Sequence, residues 1–281
     1  MIRGHLCTIG LVAAALALVP PSRPALADVR ETRSMREALA GATRDTLVVF
    51  DIDNTLVAPP QSLGGDAWYY HLVRRFEARG MSRNESIARA DAEWNRVQDR
   101  LAVRLVDPET PALVSALQAA GVRTLVLTAR SHDVAPATAR QLASVGLDFS
   151  RGEVANGRVE AGDAGGSEAR LAGGILFAGE GNDKGRVLAA FLRTRGLHPA
   201  RVVFVDDKSR HARSVDAAMA AAGLPCTAWR FGAADGDVQR FDPAAADVQA
   251  FYLDRVLDDR AARALLHADP DLATRSAALP R

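Results

Sequence analysis

The chain has 281 residues, 48% hydrophobic and 25% charged, with 35 basic and 34 acidic side chains giving a formal net charge of +1. That composition excludes a disordered or fibrous chain and suits one substantial core with room for a smaller module. A near-neutral chain has no long-range pull on nucleic acid or on an anionic membrane surface, so no nucleic-acid polymer is expected as a partner and any anion site must be local.

The first 27 residues carry Arg3, an apolar run from Leu6 to Val19, and Ala25-Leu26-Ala27. This is the charged start, apolar centre and small-residue cleavage signal of a secretory signal peptide, with cleavage expected before Asp28. The apolar run is shorter than the roughly 20 residues needed to span a bilayer. Removal would leave no stable membrane anchor and a secreted or periplasmic chain. Cys7 leaves with that segment, and Cys226, in the apolar run Cys226 to Phe231, reads as a buried structural thiol rather than a nucleophile.

Three short apolar runs rich in β-branched residues follow: Thr46 to Phe50, Val122 to Leu127 and Arg201 to Val205, each ending in polar residues. They read as buried parallel strands. Helical patterns Pro111 to Ala120, Ala135 to Val145, Gly185 to Thr194 and Ser214 to Ala222 each close at a glycine. Strands alternating with helices predict an α/β fold with a doubly wound parallel sheet, whose ligands bind beyond the carboxyl ends of the strands. The insertion from about Val57 to Asp107 is too long for a simple crossover. In it Leu72, Val73 and Phe76 share one helical face and Ile87, Ala90, Trp94 and Val97 another, which predicts a small helical cap. Gly162 to Gly174 lacks periodicity and reads as a loop or hairpin connection. Asp247 to Leu266 reads as an accessory helix packed on the core. The expected division is a signal peptide at 1–27, a core at 28–59 and 108–235, a cap at 60–107 and a helical extension at 236–281.

Four motifs fall at strand ends or helix starts. Asp51-Ile52-Asp53-Asn54-Thr55 follows the first run; side chains alternate along an extended chain, so Asp51 and Asp53 point to one side, and a divalent cation commonly holds such a pair. Asp-rich turns also end strands and cap helices, so the pattern alone is ambiguous. Thr128, ending the next run, can donate to a phosphoryl oxygen or cap the following helix. Lys184 opens a predicted helix, where an ammonium suits a phosphate dianion. Only two of the 35 basic residues are lysine, Lys184 and Lys208, in a chain that otherwise uses arginine. Asp206 and Asp207 end the third run and can complete an oxygen-rich magnesium site with Asp51. In the cap, Trp68-Tyr69-Tyr70 holds three of the six Trp and Tyr residues. Trp68 is the first candidate for stacking on a substrate, with packing of cap on core as the alternative.

This order of motifs resembles the haloacid-dehalogenase-like superfamily of phosphohydrolases, over roughly Leu47 to Phe231. The resemblance implies Asp51 as nucleophile, Asp53 as general acid and base, Thr128 and Lys184 as phosphate ligands, and Mg2+ held by Asp51, Asp206, Asp207 and the Asp53 carbonyl. Gly64 to Trp68, Gly174 to Phe177 and Phe204 to Lys208 resemble more narrowly a secreted bacterial branch of that superfamily catalogued as a domain of unknown function. The expected activity is hydrolysis of a small phosphomonoester through an aspartyl-phosphate. A halide leaves unprotonated, so an acid two residues after the nucleophile favours phosphoryl transfer over dehalogenation. A catalytically silent domain that binds a phosphorylated ligand or a protein partner is the alternative. The six histidines form no H-E-x-x-H pattern, no G-x-S-x-G elbow is present, and Gly179 to Gly185 lacks a P-loop ending.

Overall fold

A computed structural model describes residues 29–150, 157–159, 169–179 and 181–278. The expected signal peptide, and most of the Gly162 to Gly174 connection, lie outside the described residues. The elements run β1 (Arg30–Thr32), α1 (Met35–Ala38), β2 (Thr46–Phe50), β3 (Val57–Ala58), α2 (Asp66–Ala78), α3 (Arg83–Gln98), β4 (Arg104–Leu105), α4 (Thr110–Ala119), β5 (Arg123–Thr128) and α5 (Ala135–Ser144). They continue through β6 (Gly157–Val159), β7 (Ala169–Ala172), β8 (Ile175–Phe177), α6 (Lys184–Thr194), β9 (Arg201–Asp206), α7 (Ser209–Ala221) and β10 (Cys226–Phe231) to α8 (Asp235–Gln239), α9 (Pro243–Phe251), α10 (Asp259–Ala268) and α11 (Asp271–Ala277).

The main sheet has the order β1-β10-β9-β2-β5-β8-β7-β6. It is parallel from β1 to β8 and antiparallel across β8-β7-β6. The strands that close the acidic and hydroxyl motifs are thus neighbours, with β2 between β9 and β5. Both faces are apolar, because successive side chains alternate. Val48 and Phe50 of β2 pack with Val114 of α4 and Leu142 of α5 on one face. Leu47 and Val49 pack with Phe191 of α6 and Met219 of α7 on the other. Helices therefore cover both sides of a mostly parallel sheet, a Rossmann-like α/β arrangement. Each such fully buried side chain stabilises the fold by about 1.5–3 kcal/mol.

The cap leaves the sheet through a two-stranded neck in which Val57 pairs with Leu105 and Ala58 with Arg104. Ser82 opens α3 with a capping box to Glu85. Leu72, Val73, Phe76, Ala90, Trp94 and Val97 pack together as their spacing predicts, with Val134 and Ala137 of the core beneath them.

The carboxyl-terminal stretch departs from expectation. It forms separate helices, because Asp258 caps a new one by accepting from the Ala261 amide, and it packs on the cap rather than on the sheet. Arg75 Nη1 of α2 donates to Asp247 Oδ1 at 2.5 Å. Gln249 Oε1 accepts from the Leu63 amide at 2.9 Å and Asp259 from the Ser62 amide at 2.7 Å. Strand β1 was also unforeseen: three residues, two of them charged, carry no apolar signal, and pairing along β10 holds them in place.

The β7–β8 hairpin turns on Gly173 and Gly174, with φ of 57° and 77°, the two positive values a tight two-residue hairpin requires. A methyl group on Gly174 would strike the Phe149 carbonyl, whereas one on Gly173 would meet open space. Gly174→Ala should therefore cost more than the roughly 1 kcal/mol of the backbone effect alone, and clearly more than Gly173→Ala. Urea unfolding of the two variants checks this; equal losses would contradict the placement of Phe149 against the turn.

Candidate active site

Strand β2 ends at Phe50, and the next residue, Asp51, donates its amide to the Val205 carbonyl of β9 at 2.9 Å. That bond extends the ladder one step and holds Asp51 beside Asp206. Lys184 reaches the same place from the start of α6: its Nζ donates to Asp51 Oδ1 at 2.6 Å and to Asp206 Oδ2 at 2.7 Å. Exposure is 5% for Asp51, 1% for Lys184 and none for Asp206. The helix start is fixed by Asp183, which accepts from Arg186 N and also from Ser214 Oγ. Ser214 Oγ accepts in turn from Gly185 N at 3.0 Å. A side chain at Gly185 would collide with the Ser214 backbone, so α6 and α7 pack backbone to backbone behind the lysine.

Burial pushes Asp51 up to about 7, opposed by Lys184 and reinforced by Asp206. For Asp206 burial acts in the same upward direction, but Lys184 and His211 overcome it and hold this carboxyl well below the usual range. Burial opposes the charge on Lys184, yet the two carboxylates hold its pKa above the ordinary lysine value. One ammonium thus serves two buried carboxylates. Burial also raises Asp207, with Lys208 opposing.

The carboxylates of Asp51, Asp206 and Asp207 lie within 4.8 Å of one another. Asp207 Oδ1 is buried without a hydrogen-bond partner. An excess of negative charge, an oxygen-only donor set and an orphaned acceptor all suit a hard divalent cation such as Mg2+. Thr55 ties the first motif to the fourth, since its Oγ1 accepts from the Asp207 amide at 3.0 Å and lies 3.5 Å from Asp51 Oδ2. Asn54 takes a positive φ of 61°, which turns the chain back so that its amide donates to the Val57 carbonyl. Both residues shape the turn, as their types predict.

Asp53 stands apart from the carboxylate cluster. Its two oxygens accept from Arg130 Nε at 2.8 Å and Nη2 at 2.7 Å. An internal guanidinium thus holds the second carboxylate, whose oxygens are not among those gathered around Asp51, Asp206 and Asp207. Thr128 is 1% exposed at the end of β5, and its Oγ1 accepts from Arg130 N at 3.2 Å, which leaves its own proton to donate.

Trp68 does not line the site. It is 1% exposed and packs among cap side chains, because on α2 it faces the apolar stripe of Leu72 and Phe76. Tyr70 and Trp94 instead line a cavity of about 40 Å3 between cap and core, beside Asp53, Arg130 and Lys208. Lys208 pairs with Asp66 at the start of α2 and lies over the Tyr70 ring at 5.3 Å. Cys226 is half-buried and its thiol is pushed up to about 12, chiefly by burial, as expected of an inert thiol. His211 and Arg130 carried no sequence expectation. His211 Nδ1 sits 3.2 Å from Asp206, and its place in the first turn after an acidic strand end was the available signal. For Arg130 the sequence held no local signal: it is the pairing of Phe50 with Val126 that sets the loops after β2 and β5 side by side.

Residues 28–263 match the family described as "Protein of unknown function (DUF2608)". A protein of Chlamydia trachomatis serovar D described as "Putative outer membrane protein" is 21% identical over 218 residues, which span 78% of this chain and 81% of that protein. No solved structure matches the chain. Among the described residues no helix is long and apolar enough to cross a membrane.

Lys184→Met would leave two buried carboxylates without their shared cation and should destabilise the fold by about 3–5 kcal/mol. Urea unfolding at neutral pH in a chelating buffer measures this; a loss below about 1 kcal/mol would contradict the burial and pairing of Lys184.

Proposed function

We propose that this chain, which belongs to the DUF2608 family, is an exported magnesium-dependent phosphohydrolase of the haloacid-dehalogenase-like type that cleaves a small phosphomonoester. The observation that carries the reading is the convergence of Asp51, Lys184 and Asp206, from three separate elements, on hydrogen bonds of 2.6 and 2.7 Å. A structural ion pair needs one carboxylate per ammonium; this site holds a surplus of acid at the carboxyl ends of parallel strands, where such sheets bind ligands. Export is supported by the sequence of the first 27 residues and by the description of the Chlamydia relative as an outer membrane protein.

Asp51 is the nucleophile. Lys184 fixes one of its oxygens, and the other attacks phosphorus in line with the departing alcohol. Lys184 and the Thr128 hydroxyl draw charge from the equatorial oxygens. Asp53, carrying a proton on a lone pair that Arg130 does not occupy, gives that proton to the alcohol oxygen as the P–O bond breaks, leaving an aspartyl-phosphate on Asp51. Asp53 then takes a proton from a water molecule that attacks the same phosphorus. Phosphate departs, Asp51 is restored and Asp53 is again an acid. Mg2+ held by Asp51, Asp206 and Asp207, when bound, would supply neutralisation of phosphoryl charge and keep Asp51 ionised. His211 Nδ1, 3.2 Å from both oxygens of Asp206, steadies that carboxylate together with Lys184.

The processed protein should release phosphate from p-nitrophenyl phosphate in magnesium buffer, lose that activity in excess chelator, and fall at least about 10³-fold in kcat/KM as Asp51→Asn. Steady-state release of p-nitrophenolate measures all three. A wild-type protein that binds a phosphate ester without cleaving it would overturn the hydrolase reading in favour of a non-catalytic binding domain.

A further inference from the structure

Arg130 uses every face of its guanidinium. Nε and Nη2 hold both oxygens of Asp53 at 2.8 and 2.7 Å. Nη1 donates to Thr138 Oγ1 at 3.1 Å and to Gln141 Oε1 at 2.8 Å. Gln141 Nε2 donates in turn to Gln98, at 3.1 Å to Oε1 and 3.3 Å to the carbonyl, and to the Leu101 carbonyl at 3.2 Å. Gln98 is the last residue of α3, and its own Nε2 reaches back to the Gly64 carbonyl at 3.1 Å. Gly64 precedes the first cap helix and Gln98 ends the second, so the two ends of the cap meet at this glutamine. Trp94, one turn earlier on α3, places its ring 5.1 Å from the Arg130 guanidinium carbon. Arg130, Thr138, Gln141 and Gln98 are 6%, 0%, 2% and 2% exposed, and a chain of hydrogen bonds in so dry a place has few alternative partners.

A general acid works only when its proton-bearing oxygen faces the leaving atom, and a carboxyl group on a short side chain can rotate out of line. A two-pronged guanidinium fixes both the plane and the direction of the carboxylate it holds. Because Arg130 is held in turn by Gln141 and Trp94, its own position depends on where the cap sits.

We propose that Arg130 is a positioning residue for Asp53, and that the cap sets it through Gln98 and Gln141, so that the acid is aimed at the leaving oxygen only when the cap is seated on the core. The inference rests on the hydrolase reading above. It assigns specificity a physical route: a substrate that lets the cap seat also aligns the proton donor, and one that props the cap open does not.

The test compares two esters. kcat/KM reports the steps up to departure of the alcohol. An alkyl phosphate such as glycerol phosphate needs a proton for its leaving group, whereas p-nitrophenolate leaves readily without one. For Arg130→Gln the ratio of kcat/KM for the alkyl ester over that for the aryl ester should fall at least about tenfold, with general-acid catalysis worth about 10²–10⁴-fold in all. Arg130→Lys keeps the charge but not the fork and should show the same selective loss. Gln98→Met touches neither Asp53 nor Arg130 and keeps the shape of the cap helix; it should lower the ratio in the same sense. An unchanged ratio in these variants, or wild-type alkyl activity in Arg130→Lys, would overturn the positioning role while leaving the hydrolase reading intact. A wild-type protein that cleaves neither ester would overturn both.

Discussion

One ammonium shared by two carboxylates in a dry sheet edge is the constraint from which the rest of the site follows. Lys184 is 1% exposed and bonded at 2.6 and 2.7 Å to residues 133 and 22 positions away. Burying three charges is costly, and it is sustained only if each oxygen and proton finds a partner. Around the lysine the remaining oxygens find other partners: the Lys208 amide donates to Asp206 Oδ1, His211 Nδ1 lies 3.2 Å from Asp206, and the Thr55 hydroxyl lies 3.5 Å from Asp51 Oδ2. The charge left over is negative, and on the proposed reading a divalent cation would offset it.

A second layer of the structure governs access. Beside the apolar contact with Val134 and Ala137, the cap meets the core through ion pairs and rings: Lys208 on Asp66 and Tyr70, Arg210 Nη2 on the Tyr70 hydroxyl at 2.7 Å, and Arg130 beneath Trp94. Behind the cap, the carboxyl-terminal helices hold the stem at Ser62 and Leu63 and grip α2 through Asp247. The extension therefore belongs mechanically to the cap.

Much of this was legible in the chain. Runs such as Thr46 to Phe50 announce buried strands because both faces are covered, and Asp, Thr or Asp-Asp after such a run marks the carboxyl end of the strand. The rarity of lysine singled out Lys184 and Lys208, and both prove to hold acids at the site or at its rim. What was not legible depends on partners distant in sequence. Nothing local says that Asp53 belongs to Arg130, 77 positions on, or that the ring of Trp68 turns inward while Tyr70, two residues later, faces the cavity. The helical spacing in Asp247 to Leu266 hid a break, because Asp258 restarts the helix and a periodicity argument does not register a cap in the middle of a matching pattern.

The central claim is that Asp51 forms a covalent bond to phosphorus. Its most direct test is to mix the processed protein with a phosphate ester and magnesium, quench in acid within the first turnovers, and map the digested peptides by mass spectrometry. A phosphoryl group on Asp51, absent when the quench is delayed until substrate is exhausted, is the result this account requires. Turnover with no label on Asp51, or with the label on Asp53 or another side chain, would contradict it.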